Sequence, residues 1–138
     1  MKYKFLEHTA EVKFQAFGKT IEEAFSNAVL ATFSTMTNVK KIKPLQKEII
    51  KLRSKSKESL LYDFIEELLF LLDTKGFIPA KIENLKITKN EEYKLKTIIF
   101  GDQAQNYDTH GHVKAITYSE MFIKEESGNV IVQVVLDV

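Results

Sequence analysis

The sequence predicts an α+β fold, a mostly antiparallel β-sheet with two amphipathic helices packed on one of its faces. Three observations carry this. Two segments repeat their apolar residues at intervals of three and four, and the second half of the chain changes to a period of two. No repeat, low-complexity tract or Pro/Gly/Ser linker divides the 138 residues, so residues 1–138 read as one domain with one core.

In chain order, Val12 to Phe17 alternates as a strand does and Gly18 ends it. Thr20 and Glu23 then stand at capping-box spacing, and Ile21, Ala24, Phe25, Ala28, Val29, Thr32, Phe33 and Met36 form a helical stripe. Leu45 to Leu52 reads as a strand. A second helix starts after Ser56 or Ser59, with Leu60, Leu61, Phe64, Ile65, Leu68, Leu69 and Leu72 on one broad face and Gly76 placed to stop it. Ile82 to Thr88, Tyr93 to Phe100, Val113 to Lys124 and Val130 to Asp137 follow as strands, the last two joined by a turn at Ser127-Gly128-Asn129. The loose stretch from Gly101 to Gly111, with Asp102, Asp108 and His110, is a candidate contact region.

Composition narrows the function classes. There is no cysteine, which excludes disulfides, zinc ribbons and thiol nucleophiles. No apolar run is long enough for a membrane span or a signal peptide, so the chain is expected to be soluble and cytoplasmic. The net charge of +1 argues against general nucleic-acid binding, although Lys40, Lys41, Lys43, Lys47, Lys51, Arg53, Lys55 and Lys57 face only Glu48 in their stretch. Those bases read either as a solvated surface or as a docking surface for RNA or an acidic partner.

Chemistry-bearing residues are few. His110 and His112 lack a third nitrogen or sulfur ligand at metal spacing. His8, in Glu7-His8-Thr9-Ala10-Glu11, has no nucleophile motif to serve and reads as a hydrogen-bonded structural histidine. The five glycines are isolated, so no phosphate-cradling loop exists. Carboxylates are the better lead. Asp137 lies at the exposed end of an apolar strand, and with the α-carboxylate of Val138 it offers hard oxygen groups suited to Ca²⁺ or Mg²⁺. A frayed terminus is the alternative for those two residues.

His8-Thr9-Ala10-Glu11-Val12, Gly18 to Phe25, Leu60 to Leu69, Val113 to Tyr118 and the closing Leu136-Asp137-Val138 together resemble the archease family in order and spacing, over nearly the whole chain. The resemblance implies a non-catalytic accessory of tRNA splicing, one that promotes guanylylation and repeated turnover of an RtcB-type RNA ligase and meets tRNA only through that ligase. It also implies an acidic metal site, assigned to calcium with Mg²⁺ or Mn²⁺ as alternatives, at Glu11, Asp137 and Val138. Glu11 departs from the family's Asp by one methylene, which moves the carboxylate outward by about 1.5 Å. Ser119 follows Tyr118 where many members have His, and it is assigned no catalytic or ligand role. Two other readings compete. One is an RNA-binding adaptor acting through Lys40 to Lys57, and the other a metal-dependent hydrolase using Glu11 and Asp137 to activate water.

Overall fold

Seven strands and two long helices make up the chain in a computed structural model, which describes residues 1–8 and 10–138. Thr9, inside the His8–Val12 motif, lies outside the described residues. The strands are β1 (Tyr3–Leu6), β2 (Val12–Gly18), β3 (Gln46–Ser54), β4 (Phe77–Lys89), β5 (Tyr93–Gln103), β6 (Ala115–Glu126) and β7 (Asn129–Asp137). The helices are α1 (Ile21–Ser34) and α2 (Lys57–Lys75). All pairings are antiparallel, but the strands divide into two sheets and do not form a single one: β1-β2-β7-β6 and β3-β5-β4. Each helix touches both sheets, α1 packing on β2, β7 and β4, and α2 on β6, β3, β4 and β5.

The helix ends are dictated locally. Thr20 caps α1 by accepting the Glu23 N–H at 3.2 Å, while the Glu23 carboxylate reaches one residue further back, to the Lys19 N–H. Ser56 and Ser59 form a reciprocal capping box at the start of α2, so the helix begins at the earlier of the two predicted serines. Gly76 ends α2 in the left-handed region at φ 66°, where a side chain would be strained. The apolar stripes then bury completely: Phe25, Phe33, Leu60, Leu61, Phe64, Ile65 and Leu68 are sealed from solvent in one core with Phe14, Leu95, Ile99, Val132 and Val134.

β4 starts at Phe77, earlier than its alternating part, because Phe77, Ile78 and Pro79 sit in a segment whose register shifts before Lys81. Gly101 makes the shift possible. A Cβ there would lie 1.9 Å from the Ile78 carbonyl oxygen, so only glycine lets the two backbones meet. No helix among the described residues is long and apolar enough to cross a membrane.

Candidate metal and partner-binding corner

β7 is flanked on both sides, by β2 and by β6, and its end is therefore held in place. Leu136 pairs with Val12 and with Ile116, Asp137 pairs with Ala115, and the Asp137 carbonyl accepts the Lys114 N–H at 2.8 Å. Continued one step past Val12–Leu136, the β2–β7 register would set Glu11, the residue before β2, beside Asp137. Alternation puts both on the sheet face that carries Lys13, Gln15, Gln133 and Val135, away from the Phe14–Val134 face in the core. Asp137 and Val138 are exposed, whereas Glu11 is half-buried.

The Glu11 carboxylate turns toward His8, with Oε1 3.4 Å from Nδ1. Ala10, between them, takes a left-handed φ of 60° that folds the segment back on itself. The other ring nitrogen, Nε2, lies 2.8 Å from Oε2 of Glu120 on β6, and Oε1 of Glu120 accepts from Lys13 Nζ at 3.1 Å. These contacts, His8 first and Lys13 second, hold the Glu120 carboxyl below its ordinary range. A carboxylate only accepts, so Nε2 must donate to it. Nδ1 faces the Glu11 carboxylate beyond hydrogen-bond geometry and is the one buried side-chain polar atom among the described residues without a hydrogen-bond partner. His8 thus has the hydrogen-bonded role expected for it.

Glu120 reaches this position because β6 is not regular. The β6–β7 pairing is interrupted between Thr117 and Phe122, and Glu120 has a left-handed φ of 54°. Gln133 on β7 fastens the bulge. Its Nε2 donates to the Glu120 carbonyl at 2.8 Å while its Oε1 accepts from Gln15 at 2.9 Å. In sequence, Val113 to Lys124 reads as continuous alternation, which hides both the bulge and Glu120. The same interruption leaves Tyr118 about half exposed, stacked on Tyr62 of α2 with ring centroids 4.3 Å apart. Ser119, also in the bulge, donates its backbone N–H to Thr117 Oγ1, and the position is solvent-exposed.

Other candidates fall into structural roles. In the 101–111 stretch, β5 continues to Gln103, and Asp102 is buried and accepts from the Tyr107 hydroxyl at 2.7 Å. That hydroxyl in turn accepts the Lys43 N–H, Thr37 donates to the Asp108 carbonyl and the His110 N–H bonds the Met36 carbonyl. The stretch is therefore stapled to the α1–β3 connection, and Asp102 is not available as a contact residue. Among the described residues, no three His, Asp or Glu side chains converge at metal-ligand distances, His110 and His112 included.

Comparison with known proteins adds to this geometry. The model of the Archease protein family (MTH1598/TM1083) matches residues 3–138. The protein archease of Methanosarcina mazei is 34% identical over 140 residues, covering 99% of this chain and 96% of the relative. That of Thermococcus kodakarensis is 37% identical over 127 residues, covering 90% and 89%. The solution structure of Methanobacterium thermoautotrophicum protein 1598 superposes with a TM-score of 0.84 at 31% identity over 99% of both chains. The crystal structure of a Thermotoga maritima archease, described as a possible chaperone, shares the fold with a TM-score of 0.63 at 19% identity, over 98% and 96%. With a family match across nearly its whole length, and with two helices and two antiparallel sheets like those of the solved relatives, the chain belongs to the archease family.

Proposed function

We propose that this chain is a non-catalytic activator of an RtcB-type RNA ligase in tRNA splicing, and that it acts through the corner where β7 ends. The observation that supports the reading is the β2–β7 register, which one step past Val12–Leu136 would bring Glu11 and Asp137 to one sheet end, beside a His8–Glu120–Lys13 network that braces the neighbouring backbone. Family membership and the absence of any sequence motif for a nucleophile or a phosphate loop support it. The hydrolase reading would need a defined substrate pocket at this corner, and three prominent cavities among the described residues are lined by residues other than Glu11 and Asp137.

In this reading Glu11, Asp137 and Val138 would hold a divalent cation, Ca²⁺ by preference and Mg²⁺ or Mn²⁺ as alternatives, with water completing the shell. The donor set fits such an ion in kind, being hard anionic oxygens on an exposed strand end. A cation held there would supply concentrated positive charge that offsets the repulsion between the carboxylates and attracts phosphate groups of the nucleotide or RNA bound to the ligase. The protein's own part is positional. β6 pairs with Asp137 and both β2 and β6 pair with Leu136 before it, the Ala10 turn aims Glu11, and the exposed Tyr118, stacked on Tyr62, offers an aromatic contact for the partner.

The test is single-turnover guanylylation of the cognate ligase with and without this protein. Acceleration by the wild type and its loss in Asp137→Asn, with thermal stability retained, are expected. No acceleration by the wild type would sink the reading.

A further inference from the structure

The outer face of the β3-β5-β4 sheet gathers bases that are scattered in sequence. Pairing register sets Lys51, Lys96 and Lys86 in one row across the three strands, and Arg53, Lys94 and Thr88 in the next. These residues border a groove of ≈ 510 Å³, and all six are solvent-exposed. Two rows further along the same face, Phe100 lies between Lys47 and Lys81, with the Lys81 ammonium 5.3 Å from the ring centroid. Between them runs Ile49–Ile98–Glu83, in which Ile49 is 58% exposed.

Nothing among the described residues neutralises this arrangement. Like charges directly opposite one another destabilise a sheet, and the Lys51–Lys96–Lys86 row does so twice. Glu83 is engaged by Lys81, and Glu92 lies 3.9 Å from Arg53. Lys47, Lys51, Lys86, Lys94 and Lys96 have no carboxylate within ion-pair reach among the described residues. The whole chain is close to neutral at +1, so the charge has been concentrated on this face and does not reflect a basic protein. Of the bases between Lys40 and Lys57, only Lys47, Lys51 and Arg53 share the face. Lys57 is tied to Glu125.

We infer that this face is a docking surface for a single strand of RNA. The lysines match a phosphodiester backbone as point charges without base specificity, and the exposed Ile49 with the half-buried Ile98 and Phe100 gives the bases an apolar platform. The outer strands stand about 10 Å apart, a width suited to one strand. The choice of RNA over DNA rests on the ligase reading above; the phosphate contacts do not.

Fluorescence anisotropy of a labelled single-stranded RNA, titrated with this protein alone at several KCl concentrations, tests the inference independently of any ligase. Binding that weakens with salt by about 0.7 log unit per decade for each neutralised phosphate is expected. The triple variant Lys51→Gln, Lys86→Gln, Lys96→Gln should flatten that slope by about 2. It should melt no lower than the wild type, because the opposed charges are gone. Absence of binding at low salt, an unchanged slope in a folded variant, or preference for an otherwise identical DNA strand would overturn the assignment. Displacement by polyglutamate as effective as by unlabelled RNA would overturn it too, and would give the face to an acidic protein.

Discussion

Replacing Gln133 by Leu separates the support of the corner from the corner itself. The substitution keeps the volume roughly constant and removes two hydrogen bonds, the one to the Glu120 carbonyl and the one from Gln15. A net intramolecular hydrogen bond contributes about 0.5–1.5 kcal/mol, so the expected loss for the two is about 1–3 kcal/mol. For 138 residues the unfolding entropy is about 0.29 kcal/mol/K, which converts that loss to a fall in Tm of about 3–10 °C. The functional consequence should be larger. With its anchor gone the bulge at Glu120 relaxes, the carboxylate withdraws from His8 and Lys13, and ligase stimulation should drop at least tenfold. Gly128→Ala is the stability-matched control. Its φ of 70° strains any side chain by about 1–2 kcal/mol, the site is open, and stimulation should survive. Calorimetry and single-turnover guanylylation on the two variants decide the matter. A Gln133→Leu protein that melts lower yet stimulates like the wild type would refute the argument that the bulge supports function.

Three further outcomes are expected. Phe64→Ala, at a fully buried position on α2, should cost about 3–5 kcal/mol and lower Tm by about 10–17 °C, measured by calorimetry. Glu11→Asp should preserve or strengthen Ca²⁺ binding by isothermal titration, and Asp137→Asn should weaken it. Asp102 has its carboxyl held below the ordinary 3.8, first by the Tyr107 hydroxyl and then by the Gln103 N–H. A depressed carboxyl stabilises the fold above its unfolded value and loses that contribution as pH falls through the folded one. Urea midpoints measured from pH 6 downward should therefore drop less steeply below about pH 4 in Asp102→Asn than in the wild type.

Helices were the most legible part of the chain, because their stripes, their Thr20 and Ser56 caps and the Gly76 stop are all local. Strand alternation likewise indicated which residues face inward. It carried no information on partners, so one sheet was expected where β3 pairs only with β5 and leaves the β2-β7 sheet altogether. β1 escaped notice because Tyr3–Leu6 is four residues long and draws its order from β2. Asp137 could be singled out because it ends an apolar strand. Glu120 could not, since the bulge that turns it toward His8 depends on Gln133, a residue that in sequence is one polar interruption of β7. The basic face was visible only in part: Lys47, Lys51 and Arg53 lie in the basic stretch that the sequence singles out, but the rows they join are completed by Lys81, Lys86, Lys94 and Lys96 from two other strands.

The position of β7 also sets when the corner can exist. Val12 meets Leu136 across nearly the full length of the chain, a loop closure whose entropy must be met before the contact gives anything back. α2, β3, β4 and β5 are assembled from nearer neighbours, so they have the shorter route to order. The corner is then among the last features to be completed. Any partially unfolded form in which β7 lifts away keeps most of its helix yet presents no acidic corner, and a ligase surface complementary to that corner would engage only chains that have finished folding.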